Sequence, residues 1–156
     1  MEILKKLLEF RNGLIIHQAI CAVVKLGVAD SLRHGPRTAA QLAAELNVNE
    51  DALYRTMRAL ASQGVFEETR SREFMNSEVS ALLRLGVPGS IRAAFAYFGT
   101  EFYYQPFGHL IHSIQTGEKA SKLFRDNDWE HMQQHPELAA IFDDAMTNMS
   151  VMQAQR

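Results

Sequence analysis

His131 and His135 stand four residues apart in EHMQQHPE. That spacing puts two imidazoles on one face of a helix, where they could share a metal ion with Glu130 or Glu137 nearby. No Cys-rich or further His-rich segment supplies the remaining ligands, so the pair reads as solvated side chains and no metal is expected. His109 and His112 in FGHLIHS, three apart, have the same explanation. The single cysteine, Cys21, lies inside the apolar run LIIHQAICAVVKL and reads as a small buried hydrophobe rather than a nucleophile. Its solitude excludes a disulfide framework and suits a reducing cytoplasm, the expected location. No G-x-S-x-G elbow occurs. The nine glycines never fall as G-x-G, so a Rossmann-type cofactor loop is missing. No catalytic and no cofactor-binding residue is assigned: the chain reads as a partner to chemistry carried elsewhere.

The elements that would position such residues follow from composition and periodicity. At 156 residues and 47% apolar content, the chain has material for a sizeable core. Sixteen basic against 18 acidic side chains, a net charge of -2, draw it toward neither nucleic acid nor an anionic membrane. The run from Leu14 to Leu26 includes His17, Gln18 and Lys25 and falls short of the roughly 20 residues that cross a bilayer. The opening MEILKK lacks the apolar core of a secretory leader. Neither a membrane span nor a leader is therefore expected. Within 14–26 the polar positions His17, Cys21 and Lys25 recur every fourth residue, and nearly all the remaining circumference is apolar. A helix that apolar needs covering on most sides, by its own core and by a second chain together.

Thr38 with Gln41 forms a capping box ahead of AAQLAAEL. Asn47 suits a left-handed C-cap and Asn49 caps the next helix, whose positive end Glu50 and Asp51 meet. There Leu53, Met57 and Leu60 share a face until Gly64 ends the helix. VFEET and EFM, joined by a turn at Arg70 and Ser71, read as a two-stranded wing. Further helices are expected over 77–84, 90–98, 101–116, 128–135 and 137–152. On the last, Leu138, Ile141, Phe142, Ala145, Met146, Met149 and Met152 form one stripe. The fold is thus mainly α: a winged helix-turn-helix with a small β-wing over 1–85, and additional C-terminal helices over 86–156.

A winged helix raises the question of DNA. From Arg37 to Met75 five arginines face six acidic residues, a net charge of -1, and the N-terminal end of the would-be recognition helix is Asn49, Glu50 and Asp51. Phosphate is repelled there, so nucleic acid is not the expected partner. A transcription regulator using Arg55, Arg58, Arg70 and Arg72 is the alternative reading.

The order AICAVVKLGVADSL, GPRTAAQLAAELNVNEDALYRTMRALASQGVFEE, REFMNSEVSALL, VPGSIRA, FGHLIHSIQTGEKASKLF and HPELAAIFDDAMTNMS resembles the N-terminal dimerisation domain of S-adenosylmethionine-dependent O-methyltransferases, plant caffeic-acid-type enzymes and bacterial relatives alike. The resemblance runs over about residues 14–150. It implies a homodimer, with Leu14, Ile15, Ile16, Ile20 and Val23 at the interface. It also implies that the F-x-x-A-M element, Phe142 to Met146, belongs to a small-molecule pocket lined by Phe142, Met146 and Met149. The stripe alone fits core packing of Met146 and Met149 equally well. Where the family often has tryptophan, this chain has Phe107. The family's Rossmann-like domain, with its glycine-rich loop and general-base histidine, has no counterpart before Arg156. The expectation is therefore a dimerisation and substrate-pocket module, inactive alone and binding no cofactor itself, with S-adenosylmethionine serving the full enzyme.

Overall fold

The computed structural model describes residues 2–154; the side chains of Met152 and Ala154 are not described. The chain packs as two compact units, one through Arg92 and one from Ala93.

The first unit opens with helix α1, Glu2–Leu26, followed by α2, Val28–Ser31. Gly27, at φ +74°, takes the left-handed conformation that joins them, a position costly for any side chain. At 25 residues α1 is almost twice the apolar run from which its length was judged. By length and composition alone it could cross a bilayer, which corrects the reason given above for excluding one. Its first half, however, carries Glu2, Lys5, Lys6, Glu9 and Arg11, charges that hydrocarbon opposes.

Strand β1, Arg37–Thr38, leads into α3, Ala39–Leu46, and α4, Glu50–Ala61. The capping box forms as expected: Gln41 N–H donates to Thr38 Oγ1 at 3.2 Å, and Thr38 N–H donates to Gln41 Oε1 at 2.9 Å. Asn47 turns at φ +53°, and Asn49 Oδ1 accepts Ala52 N–H at 2.9 Å. These caps fix the angle at which α4 sets Leu53, Met57 and Leu60 against Leu42, Phe66 and Phe74, all buried. The wing is β2, Phe66–Arg70, antiparallel to β3, Glu73–Asn76, with Glu68 opposite Phe74 and a bulge before Arg70. β1 adds a third strand beside β3, pairing Arg37 with Phe74. Helix α5, Glu78–Ala81, starts at Ser77, whose hydroxyl accepts the N–H groups of Val79 and Ser80.

The second unit contains most of α6, Arg92–Phe98, then α7, Glu101–Tyr104, α8, Leu110–Thr116, α9, Asp128–Gln134, and α10, Pro136–Ala154. The helix expected over 101–116 is broken by a 3-10 turn at Gln105–His109, where Pro106 brings no backbone N–H. Its core is aromatic. Tyr97 lies edge-on to Tyr103 at 5.2 Å and to Phe142 at 5.4 Å. The Arg125 guanidinium covers Phe102 at 3.8 Å while donating to Asp128 at 2.6 Å. Asn127 caps α9, and His135 ends it before Pro136 starts α10, as the X-Pro restriction requires.

Candidate functional site

Along α1, the residues expected at an interface divide by exposure. Leu14 is 66% and Ile15 56% exposed, Ile16 and Ile20 are half-buried, and Val23, at 1%, is enclosed by its own unit. Five further apolar residues, Ile3, Leu4, Leu7, Leu8 and Phe10, also face outward from the part of α1 that the sequence reading left out. Their signal was present: Ile3, Leu7, Phe10 and Leu14 recur at alternating steps of four and three, the seam of a helix that packs on another helix. Cys21 is buried four residues beyond His17, with Sγ 3.7 Å from His17 Nε2. Burial pushes its thiol up to about 11, so it is neither charged nor reactive at neutral pH.

The wing arginines are paired with carboxylates. Arg72, at φ +63°, donates to Glu50 at 2.6 Å and to Asp51 at 3.0 Å, and its guanidinium lies 4.2 Å from the centre of the Tyr54 ring. Arg70 pairs with Glu73 at 3.1 Å, and Arg37 pairs with Glu45, which also accepts from Ser31. A phosphate approaching α4 would have to displace these carboxylates from their arginines. Arg55 and Arg58 remain exposed on α4.

On α10 the stripe separates into two flanks. Leu138 and Ala145 are buried, whereas Phe142, Met146 and Met149 are half-buried. Phe142 is held between Tyr97 and Trp129, the latter edge-on at 6.0 Å. Beside Met149, Asn148 Oδ1 is buried without a hydrogen-bond partner among the described residues, a feature the apolar stripe concealed. Phe107 is exposed and tilts against Tyr103 at 5.3 Å.

The histidine pair forms a stack: the rings of His131 and His135 lie 4.2 Å apart, and His135 Nδ1 is 2.7 Å from the His131 carbonyl. Two rings laid face to face do not aim their nitrogens at one shared ion. Among the described residues no three His, Cys, Asp or Glu side chains gather into a metal site. The glycines with positive φ, among them Gly27, Gly64 and Gly117, sit at turns and helix ends, and none is part of a strand-to-helix phosphate loop.

The O-methyltransferase dimerisation domain family matches residues 8–85. The chain belongs to that family. This dimerisation domain is 34% identical, over 89% of its length, to a phenazine O-methyltransferase of Lysobacter antibioticus, and spans 41% of that enzyme. Among solved structures, it superimposes on the mitomycin 7-O-methyltransferase with a TM-score of 0.89 at 28% identity, covering 98% of this chain and 46% of that one. An O-methyltransferase from neocarzinostatin biosynthesis, in complex with S-adenosylmethionine and 2-hydroxy-5-methyl naphthoic acid, matches 87% of this chain and 42% of its own, with a TM-score of 0.73 at 27% identity. The winged helix-turn-helix is thus the scaffold of a dimerisation domain, and the chain spans about two fifths of the length of the curated relatives it matches.

Proposed function

We propose that the chain acts as the homodimerisation and substrate-pocket part of a cytoplasmic O-methyltransferase that transfers the methyl group of S-adenosylmethionine to a hydroxyl of a small molecule. The observation that carries this reading is the outward-facing Leu14 and Ile15 within a domain whose family is defined by dimerisation. Exposed apolar surface of this kind is costly in water and is stabilised when a second copy covers it. Leu14 and Ile15 meet the partner directly, Ile16 and Ile20 flank them, and Val23 holds the helix to its own unit from behind. On α10, Phe142, Met146 and Met149 present an apolar wall to an aromatic acceptor, with Phe142 kept in place by Tyr97 and Trp129. S-adenosylmethionine supplies the methyl group, and no residue of this chain is assigned to hold it. The paired wing arginines favour this reading over DNA binding, and neither a membrane nor nucleic acid is a partner.

Sedimentation equilibrium at micromolar concentration tests the reading. A dimer is expected, and Leu14→Asp with Ile15→Asp should dissociate it while leaving the helical circular dichroism intact. A strict monomer would overturn it.

A further inference from the structure

Of the four tyrosines, Tyr97 alone is buried, 9% exposed, near the end of α6. The rings of Phe98, Phe102, Tyr103 and Phe142 surround it, with centroids 5.2 to 6.4 Å away. Its hydroxyl makes no hydrogen bond among the described residues. That arrangement is costly, because a buried hydroxyl without a partner has given up water for nothing, and phenylalanine would fill the same place without that loss. The buried Ser80 of the first unit shows the ordinary solution: its hydroxyl accepts Ser77 N–H at 2.9 Å. The Tyr97 hydroxyl calls for a partner from outside the chain.

We propose that this hydroxyl sets the specificity of the acceptor pocket by hydrogen-bonding a carbonyl or phenol oxygen on an aromatic ring that lies against Phe142. The proposal rests on the reading of Phe142, Met146 and Met149 as a pocket wall and gives that wall its polar contact. Tyr97 touches Phe142 edge-on at 5.4 Å, so a ring seated on Phe142 brings its substituents within reach of the hydroxyl. An apolar wall accepts any flat ring, and one polar group beside it fixes the orientation and selects an oxygenated ring. The surrounding charges narrow the choice. Burial, then Tyr103, raise the Tyr97 pKa above its ordinary 10.0, with Arg125 opposing and Asp128 adding to the rise. The group is therefore a neutral O–H at physiological pH, able to donate and to accept, and not a phenolate base. Arg125 already donates to Asp128 at 2.6 Å and to the Phe102 carbonyl at 2.9 Å. With that charge met inside the chain, a neutral oxygen suits the site better than a carboxylate.

Tyr97→Phe removes the oxygen and keeps the ring, so two measurements on the whole chain test the proposal. The first needs no ligand: the denaturant midpoint of Tyr97→Phe should equal or exceed that of the wild type. A clearly lower midpoint would mean that the hydroxyl is already bonded within the protein, and overturns the proposal. The second titrates 1-naphthol and 1-methylnaphthalene, two probes of one shape, and follows the Met146 and Met149 methyls by nuclear magnetic resonance. The wild type should bind 1-naphthol more tightly. Tyr97→Phe should weaken 1-naphthol roughly 3- to 10-fold, the worth of one hydrogen bond, and leave 1-methylnaphthalene unchanged. Phe142→Ala should weaken both probes. Unchanged 1-naphthol binding in Tyr97→Phe, or an equal loss for the two probes, overturns the role of the hydroxyl and leaves the pocket wall standing. A wild type that binds neither probe overturns the wall and the hydroxyl together.

Discussion

The two units solve the problem of a small core differently. The first encloses Leu42, Met57, Leu60, Phe66 and Phe74 almost completely, using caps at both ends of a short turn to aim α4 at the wing. The second gathers more aromatic surface but covers less of it: Tyr97 is buried, while Phe102, Tyr103 and Phe142 stay half-open and Phe107 and Trp129 are exposed. The first unit thus completes its core from its own residues and turns surplus apolar surface outward along α1. The second leaves part of its interior surface uncovered. A half-open aromatic cluster makes a poor independent core and a suitable pocket wall, because flat rings offer large apolar area at small entropic cost.

The contrast breaks most sharply on paired truncations. Phe74→Ala should cost about 3–5 kcal/mol in denaturant unfolding, since it empties a site with no exposed side. Phe142→Ala should cost clearly less, about 1–2 kcal/mol, because its ring is already part-solvated and its neighbours can relax. Equal losses would erase the distinction between core and wall. A smaller effect tests the caps: Thr38→Ala and Asn49→Ala should each cost about 1 kcal/mol, confined to the first unit, as seen by hydrogen exchange in α3 and α4. Cys21 tests the closure of α1 against its own unit. Iodoacetamide should leave it unmodified at pH 8 until denaturant is added. Because its thiol is raised to about 11 from an ordinary 9.0, the stability due to the neutral buried thiol is complete below pH 9 and falls as pH rises through that window. Cys21→Ala should remove that alkaline slope.

What could be read from the sequence follows the range of the forces involved. The caps at Thr38, Asn47 and Asn49, and the buried face of α4, rest on residues within four positions of each other, so the local sequence specifies them. Strand β1 was missed because two residues carry no period, and its existence depends on Glu73 and Phe74, far along the chain. The break in the helix expected over 101–116 was legible in Pro106 and Gly108 but was outweighed by the surrounding apolar spacing. At the candidate surfaces, periodicity identified the apolar stripes without distinguishing their inner flank, Leu138 and Ala145, from their outer one, Phe142, Met146 and Met149. That distinction depends on which neighbours arrive, as does the pairing of Arg72, whose partners lie more than twenty residues earlier.

The smallest expected effect lies at the hinge between α9 and α10. Burial, then the neighbouring His135 and the Arg125 guanidinium, lower the His131 pKa below its ordinary 6.5, against a weaker opposing pull from Asp128. The unfolded chain therefore binds a proton at a higher pH than the folded one. Stability due to neutral His131 is fully present above about pH 6.5 and declines as pH falls through the lowered folded value. Protonation would also place a cationic His131 ring against the His135 ring across a 4.2 Å stack, with Arg125 nearby. Thermal unfolding followed by tryptophan fluorescence, which reports on Trp129 alone, should show a modest acid-side loss, and His131→Gln should flatten it. Since the first unit has no matching histidine stack among the described residues, hydrogen exchange at pH 5.5 should accelerate in α9 and the start of α10 while α3 and α4 keep their protection. Equal acceleration in both units would assign the acid sensitivity to the carboxylate pairs of the wing instead.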